Sequence, residues 1–127
     1  MAPVGPAYGF GLYLHWPYCT RICPYCDFNV YAAKDRDTAG LSAALAADLR
    51  THHARLAGHP PLTSIFFGGG TPSLMSAAEI AALIETANAT FGLAPDAEVT
   101  IEANPADILR ADLTAWASAG INRVSLG

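Results

Sequence analysis

Leu62-Thr-Ser-Ile-Phe-Phe-Gly-Gly-Gly-Thr-Pro-Ser-Leu-Met-Ser-Ala-Ala-Glu79 holds the change of local structure that decides the fold. Its first six residues, Leu62 to Phe67, are apolar, aromatic and β-branched and suit a buried strand. Gly68, Gly69 and Gly70 end that run. Thr71-Pro72 and the capping box Ser76-x-x-Glu79 then open a helix predicted to reach about Phe91.

The same rhythm appears on both sides. Gly9 to Trp16 (GFGLYLHW), bounded by Pro6 and Pro17, reads as a strand, and a cysteine-rich loop follows it. From about Asp37 to Ala57 the chain is rich in Ala and Leu, with Leu41, Leu45, Leu49 and Leu56 near helical spacing, and Gly58 and Pro60 stop it. Glu98 to Glu102 alternates around Val99 and Ile101, Asn104-Pro105 starts one further helix that ends before Gly120, and Ile121 to Leu126 begins a fourth strand. The order βαβαβαβ implies an α/β fold with a parallel sheet and right-handed crossovers. Pattern alone leaves a doubly wound sheet and a barrel both open. The fourth strand has no helix after it when the sequence stops at Gly127, and a closed or nearly closed barrel takes roughly 200 residues. The expectation is therefore a core cut short after about four strands, with residues 1–127 as its N-terminal portion.

With 52% apolar and 14% charged residues the chain has the material for a packed core rather than a disordered segment. The formal charge of -4 comes without a Lys/Arg cluster, which argues against nucleic acid and anionic membrane surfaces as partners. No run approaches the roughly 18 apolar residues of a membrane span, and Met1 to Phe10 lacks the basic flank and apolar run of a leader. A cytoplasmic protein with a small-molecule ligand is the expectation.

All three cysteines, Cys19, Cys23 and Cys26, lie in one C-x3-C-x2-C stretch. An odd number packed this closely suits metal or redox chemistry better than a disulfide framework. Three thiolates on an iron–sulfur cubane, which normally takes four, leave one iron open to a ligand. A structural zinc site completed by a histidine is the alternative.

Tyr13-Leu-His-Trp-Pro-Tyr-Cys19-Thr-Arg-Ile-Cys23-Pro-Tyr-Cys26-Asp-Phe resembles the cluster loop of radical S-adenosylmethionine (SAM) proteins. The resemblance continues through Phe66-Phe-Gly-Gly-Gly-Thr-Pro-Ser73, Thr100-Ile-Glu-Ala-Asn-Pro105 and Gly120-Ile-Asn-Arg-Val-Ser-Leu-Gly127. It is strongest to the branch that holds oxygen-independent coproporphyrinogen III oxidase and a related heme chaperone. What it implies is the first part of a parallel (β/α)6 partial TIM-type barrel, with a 4Fe-4S cluster on Cys19, Cys23 and Cys26. By the same resemblance, SAM is contacted by Tyr13, Tyr25, Gly69, Gly70, Thr71 and Glu102, with Tyr25 near the adenine. Read from the residues, the glycines suit close backbone approach to a ligand and positive φ, and Glu102 suits ribose hydroxyls or an ammonium at a strand end.

Within the branch, the oxidase pattern carries another cysteine two residues after the third ligand, where this chain has Phe28 after Asp27, and it has a longer segment before the first strand. Both departures favour the chaperone, which implies heme or porphyrin as a ligand, bound through a C-terminal region, and a heme-accepting client protein. For the oxidase the resemblance implies decarboxylation driven by SAM cleavage; for the chaperone, cleavage is regulatory or absent. Of the remaining residues, His15 is expected to be a satisfied histidine in a buried strand, His52 and His53 solvated, and Trp116 packing, and the unfinished barrel is expected to present an apolar inner face. Arg123 is left without a side.

Overall fold

The computed structural model describes residues 9–19, 31–32, 38–109 and 111–127. Four strands form one sheet: β1 (Gly11–Trp16), β4 (Leu62–Gly69), β5 (Leu93–Ala103) and β6 (Arg123–Leu126). Between them come β2 (Tyr18–Cys19) and β3 (Tyr31–Ala32), which pair with each other, then α1 (Thr38–Ala54), α2 (Ala77–Phe91), α3 (Pro105–Ile108) and α4 (Leu113–Ala119).

The sheet order is β1-β4-β5-β6 and every pairing is parallel. This order never reverses. With each crossover right-handed, a sheet that grows in one direction carries all its helices on one face, whereas a doubly wound sheet needs a switch point. The choice left open by the sequence pattern is thereby made in favour of barrel-type winding. Side-chain alternation agrees with it. Leu14 and Trp16 of β1, Ile65 and Phe67 of β4, and Val99, Ile101 and Ala103 of β5 form one buried cluster with Leu49 of α1, Ile80, Leu83, Ile84, Ala87 and Phe91 of α2, and Trp116 of α4. The opposite, helix-free face, which no described helix covers, carries Tyr13, His15, Phe66, Glu98, Thr100, Glu102, Arg123 and Ser125. Among the described residues it is polar and aromatic rather than the apolar inner face expected: parity sends the aliphatic half of each strand to the helices.

α2 follows the sequence reading closely. Ser76 accepts from the Glu79 N–H and the Glu79 carboxylate accepts from the Ser76 N–H, each at 3.1 Å, which satisfies two of the donors a helix start leaves open. Ser42 of α1 donates to the other Glu79 oxygen at 2.6 Å, so the cap also ties α1 to α2.

Three further readings change. The single helix expected after Asn104 is two, because Asn104 caps α3 through Asp107 N–H and Asp112 caps a second start through Ala115 N–H. β5 begins at Leu93 rather than Glu98, with a register irregularity between the Leu62–Leu93 and Ser64–Glu98 pairs. His53 is half-buried rather than solvated, its ring edge-on to His59 and Phe91 with centroids 5.0 Å apart in both cases.

Candidate functional site

All four strands of the sheet point the same way, so Trp16, Gly69, Ala103 and Leu126 end at one edge, the edge where parallel α/β folds assemble their sites. Tyr13 and Glu102 reach it on the helix-free face. Tyr13 pairs with Phe66 across the β1–β4 ladder, and their rings stack at 6.0 Å with 16° between planes. His15 lies two residues further on, opposite Gly68, with its Nδ1 3.1 Å from the Tyr13 hydroxyl. Burial and then the Glu102 charge push the Tyr13 phenol above its ordinary range, so it stays protonated and able to donate a hydrogen bond.

The glycine loop is built against the end of β1. Gly69 has φ 115°, and a Cβ there would fall 2.5 Å from the Trp16 carbonyl oxygen and 2.9 Å from two atoms of the His15 ring. The need for positive φ thus falls on Gly69, not on Gly70. The Gly70 N–H donates to the Trp16 carbonyl at 2.6 Å and the Thr71 N–H to the Tyr18 carbonyl at 2.8 Å. With those two donors engaged, and the Thr71 carbonyl accepting from the Leu74 N–H at 3.0 Å, what Gly70 and Thr71 offer a ligand is the Gly70 carbonyl oxygen and the Thr71 hydroxyl, which suits a cationic group better than an anion.

That second bond joins the glycine loop to the first cysteine, since the Tyr18 carbonyl belongs to the peptide that precedes Cys19. The Cys19 backbone continues as β2 and pairs with Ala32. Cys23, Tyr25 and Cys26 lie outside the described residues. Of the nine residues singled out from sequence, the structure therefore brings five, Tyr13, Gly69, Gly70, Thr71 and Glu102, to one strand-end edge together with the backbone of Cys19. The described part of the donor set fits an iron–sulfur cluster with an organic ligand beside it: a Cβ-free strand end tied to the peptide that precedes Cys19, and a carboxylate and a neutral phenol on one face.

Sequence reasoning missed His15 and Phe66 as neighbours of this site. The signal was the two-residue spacing from Tyr13 to His15, which puts both on one face of a strand. Arg123 also settles on that face, lower on the sheet, where it meets Glu98 and Thr100, each at 3.4 Å.

Residues 13–127 match the family model of the radical SAM superfamily. The chain is 44% identical to radical S-adenosyl methionine domain-containing protein 1, mitochondrial, of Bos taurus, over 98% of this chain and 29% of that protein. It is 41% identical to the heme chaperone HemW of Mycobacterium tuberculosis, over all of this chain and 33% of the relative, and 41% identical to the HemW of Escherichia coli over 91% and 31%. Among solved structures, coproporphyrinogen III oxidase (HemN) of Escherichia coli, a radical SAM enzyme, superposes with a TM-score of 0.78 at 29% identity, covering 92% of this chain and 27% of that one. The chain thus spans about a third of the length of these relatives.

Proposed function

Since the chain belongs to the radical SAM superfamily, we propose that it is the N-terminal portion of the core of a heme chaperone that holds a 4Fe-4S cluster and SAM. The observation that carries this reading is the convergence of Tyr13, Glu102 and the Gly69-Gly70-Thr71 loop on the strand-end edge from which the cysteine loop departs. Relatives named heme chaperones at about two-fifths identity support the chaperone, as does Phe28 in place of the oxidase's further cysteine.

In this reading Cys19, Cys23 and Cys26 hold the cluster and leave one iron open. When bound, the cluster supplies the electron for reductive cleavage of SAM, chemistry that belongs to the cofactor and not to the protein. The residues of the chain bind and orient. Carbonyl oxygens at Gly69 and Gly70 and the Thr71 hydroxyl receive the ammonium end of SAM, Glu102 accepts from ribose hydroxyls, Tyr13 donates as a neutral phenol, and Tyr25 lies by the adenine. Heme or a porphyrin, and a client protein that accepts heme, are the further partners, and the cytoplasm, a reducing compartment that keeps such thiolates from forming disulfides, is the location of this reading. No described helix is long and apolar enough to cross a membrane.

The superposition on the oxidase keeps porphyrinogen decarboxylation as the second reading. The test takes the reconstituted full-length protein, titrates it anaerobically with heme, and separately incubates it with SAM, a reductant and coproporphyrinogen III. Stoichiometric heme binding without turnover is expected; protoporphyrinogen formed over many turnovers would replace the chaperone with the oxidase. Metal analysis covers the zinc alternative, which predicts stoichiometric zinc and no iron.

A further inference from the structure

We propose that Gly68 is a positioning residue of this site: its missing side chain is the space in which Tyr13, Phe66 and Glu102 close on one another. Gly68 is buried in β4 and is not among the glycines with positive φ, so its backbone conformation does not itself call for glycine. Its requirement is for space. A Cβ at Gly68 would stand 2.6 Å from a Glu102 carboxylate oxygen, 2.8 Å from Cε2 of Tyr13 and 2.9 Å from Cε1 of Phe66. Real Cβ atoms do not approach neighbours so closely, so a methyl group there has to displace all three, the flexible Glu102 carboxylate most readily and the two rings with it. They come from three strands, β1, β4 and β5, so one absent carbon governs how near the carboxylate and the phenol lie.

The electrostatics carry the same signature. Partial burial among neighbouring side chains raises the Tyr13 phenol, and the nearby Glu102 charge raises it further. An alanine at residue 68 moves the carboxylate away from the half-exposed phenol, so the phenol ionises nearer its ordinary pH. Gly68 thereby differs from Gly69, which is set by φ and by the Trp16 carbonyl. It acts on the ligand only through Glu102 and Tyr13.

This inference rests on the reading of Tyr13 and Glu102 as SAM contacts, and the experiment keeps the two apart. In the full chain with reconstituted cluster, Gly68→Ala is expected to retain its iron and to bind SAM at least tenfold more weakly. In the cluster-free full chain, labelled with 13Cζ-tyrosine and with Tyr13 assigned from Tyr13→Phe, the same variant is expected to ionise Tyr13 at lower pH than the parent, towards Glu102→Gln. The shorter carboxylate of Gly68→Ala/Glu102→Asp leaves room for the methyl and should recover part of the affinity that Gly68→Ala loses. It also serves if Gly68→Ala alone does not fold. An unchanged Tyr13 titration, with or without a loss of SAM affinity, overturns the role of Gly68, as does a double variant no better than Gly68→Ala. Normal SAM affinity in both Tyr13→Phe and Glu102→Ala would instead overturn the SAM assignment while leaving the titration as the test of Gly68.

Discussion

At the scale of residues, the cysteines and Glu102 are expected to separate two events, cluster loading and ligand binding. Replacing Cys19, Cys23 or Cys26 by Ser should abolish the brown chromophore and the about four iron atoms per chain of a loaded cubane. Glu102→Ala should keep both while weakening SAM binding by tenfold or more, since a hydrogen bond to a charged group contributes about 1.5–3 kcal/mol; iron analysis and equilibrium binding on one sample check this. Gly69→Ala should act differently, lowering the unfolding midpoint, because its φ of 115° and the nearby Trp16 carbonyl oppose any side chain. The motif residues were legible because each type has few chemical uses at such spacing. Phe66 was not, since its relation to Tyr13 exists only once the β1–β4 register is fixed; His15 shares the face of Tyr13 by its two-residue spacing, but that spacing does not say which face of the strand meets the site.

At the scale of elements, the start of α2 makes stability depend on acid. Burial raises the Glu79 carboxyl, but the hydrogen bonds from the Ser42 hydroxyl and from Ser76 outweigh it, and the net direction is downward. A carboxyl lowered on folding stabilises above its unfolded value, about pH 4.3, and that contribution is lost as pH falls through the folded value. Glu79→Gln should therefore destabilise by about 1 kcal/mol at neutral pH and by little near pH 3. Urea unfolding at the two pH values reads the difference. The cap itself was visible in the sequence as Ser76 and Glu79, because its partners are three residues apart. Ser42, its third member, was not, since it lies 37 residues away in sequence and meets Glu79 only when α1 packs on α2. A similar limit hid the division into α3 and α4: Asp112 is a good cap, but Asn104-Pro105 and Gly120 marked the outer ends more strongly.

At the scale of the whole molecule, the strand order is what alternation and helix signals could not supply. Periodicity identifies a face, and only pairing tells which strands are neighbours; the resemblance chose the barrel, and β1-β4-β5-β6 supports it physically. Among the described residues, the outer edges of β1 and β6 are unpaired within this sheet, while the helix-free face between them is polar and aromatic. Expressed alone, the 127-residue chain should associate through strand edges in a concentration-dependent way, because open edges template pairing. Light scattering across concentration measures it, and a monomer with sharp cooperative unfolding would show an autonomous unit.

The bond from the Thr71 N–H to the Tyr18 carbonyl makes one peptide common to the loop that carries Cys19 and the loop assigned to SAM. Two occupants that each order a shared peptide are thermodynamically linked, and linkage is reciprocal. Whatever factor the loaded cluster adds to the affinity for SAM, SAM must return to the retention of iron. A chelator competing for the metal should therefore win less easily when SAM is present, and the two ratios should be equal.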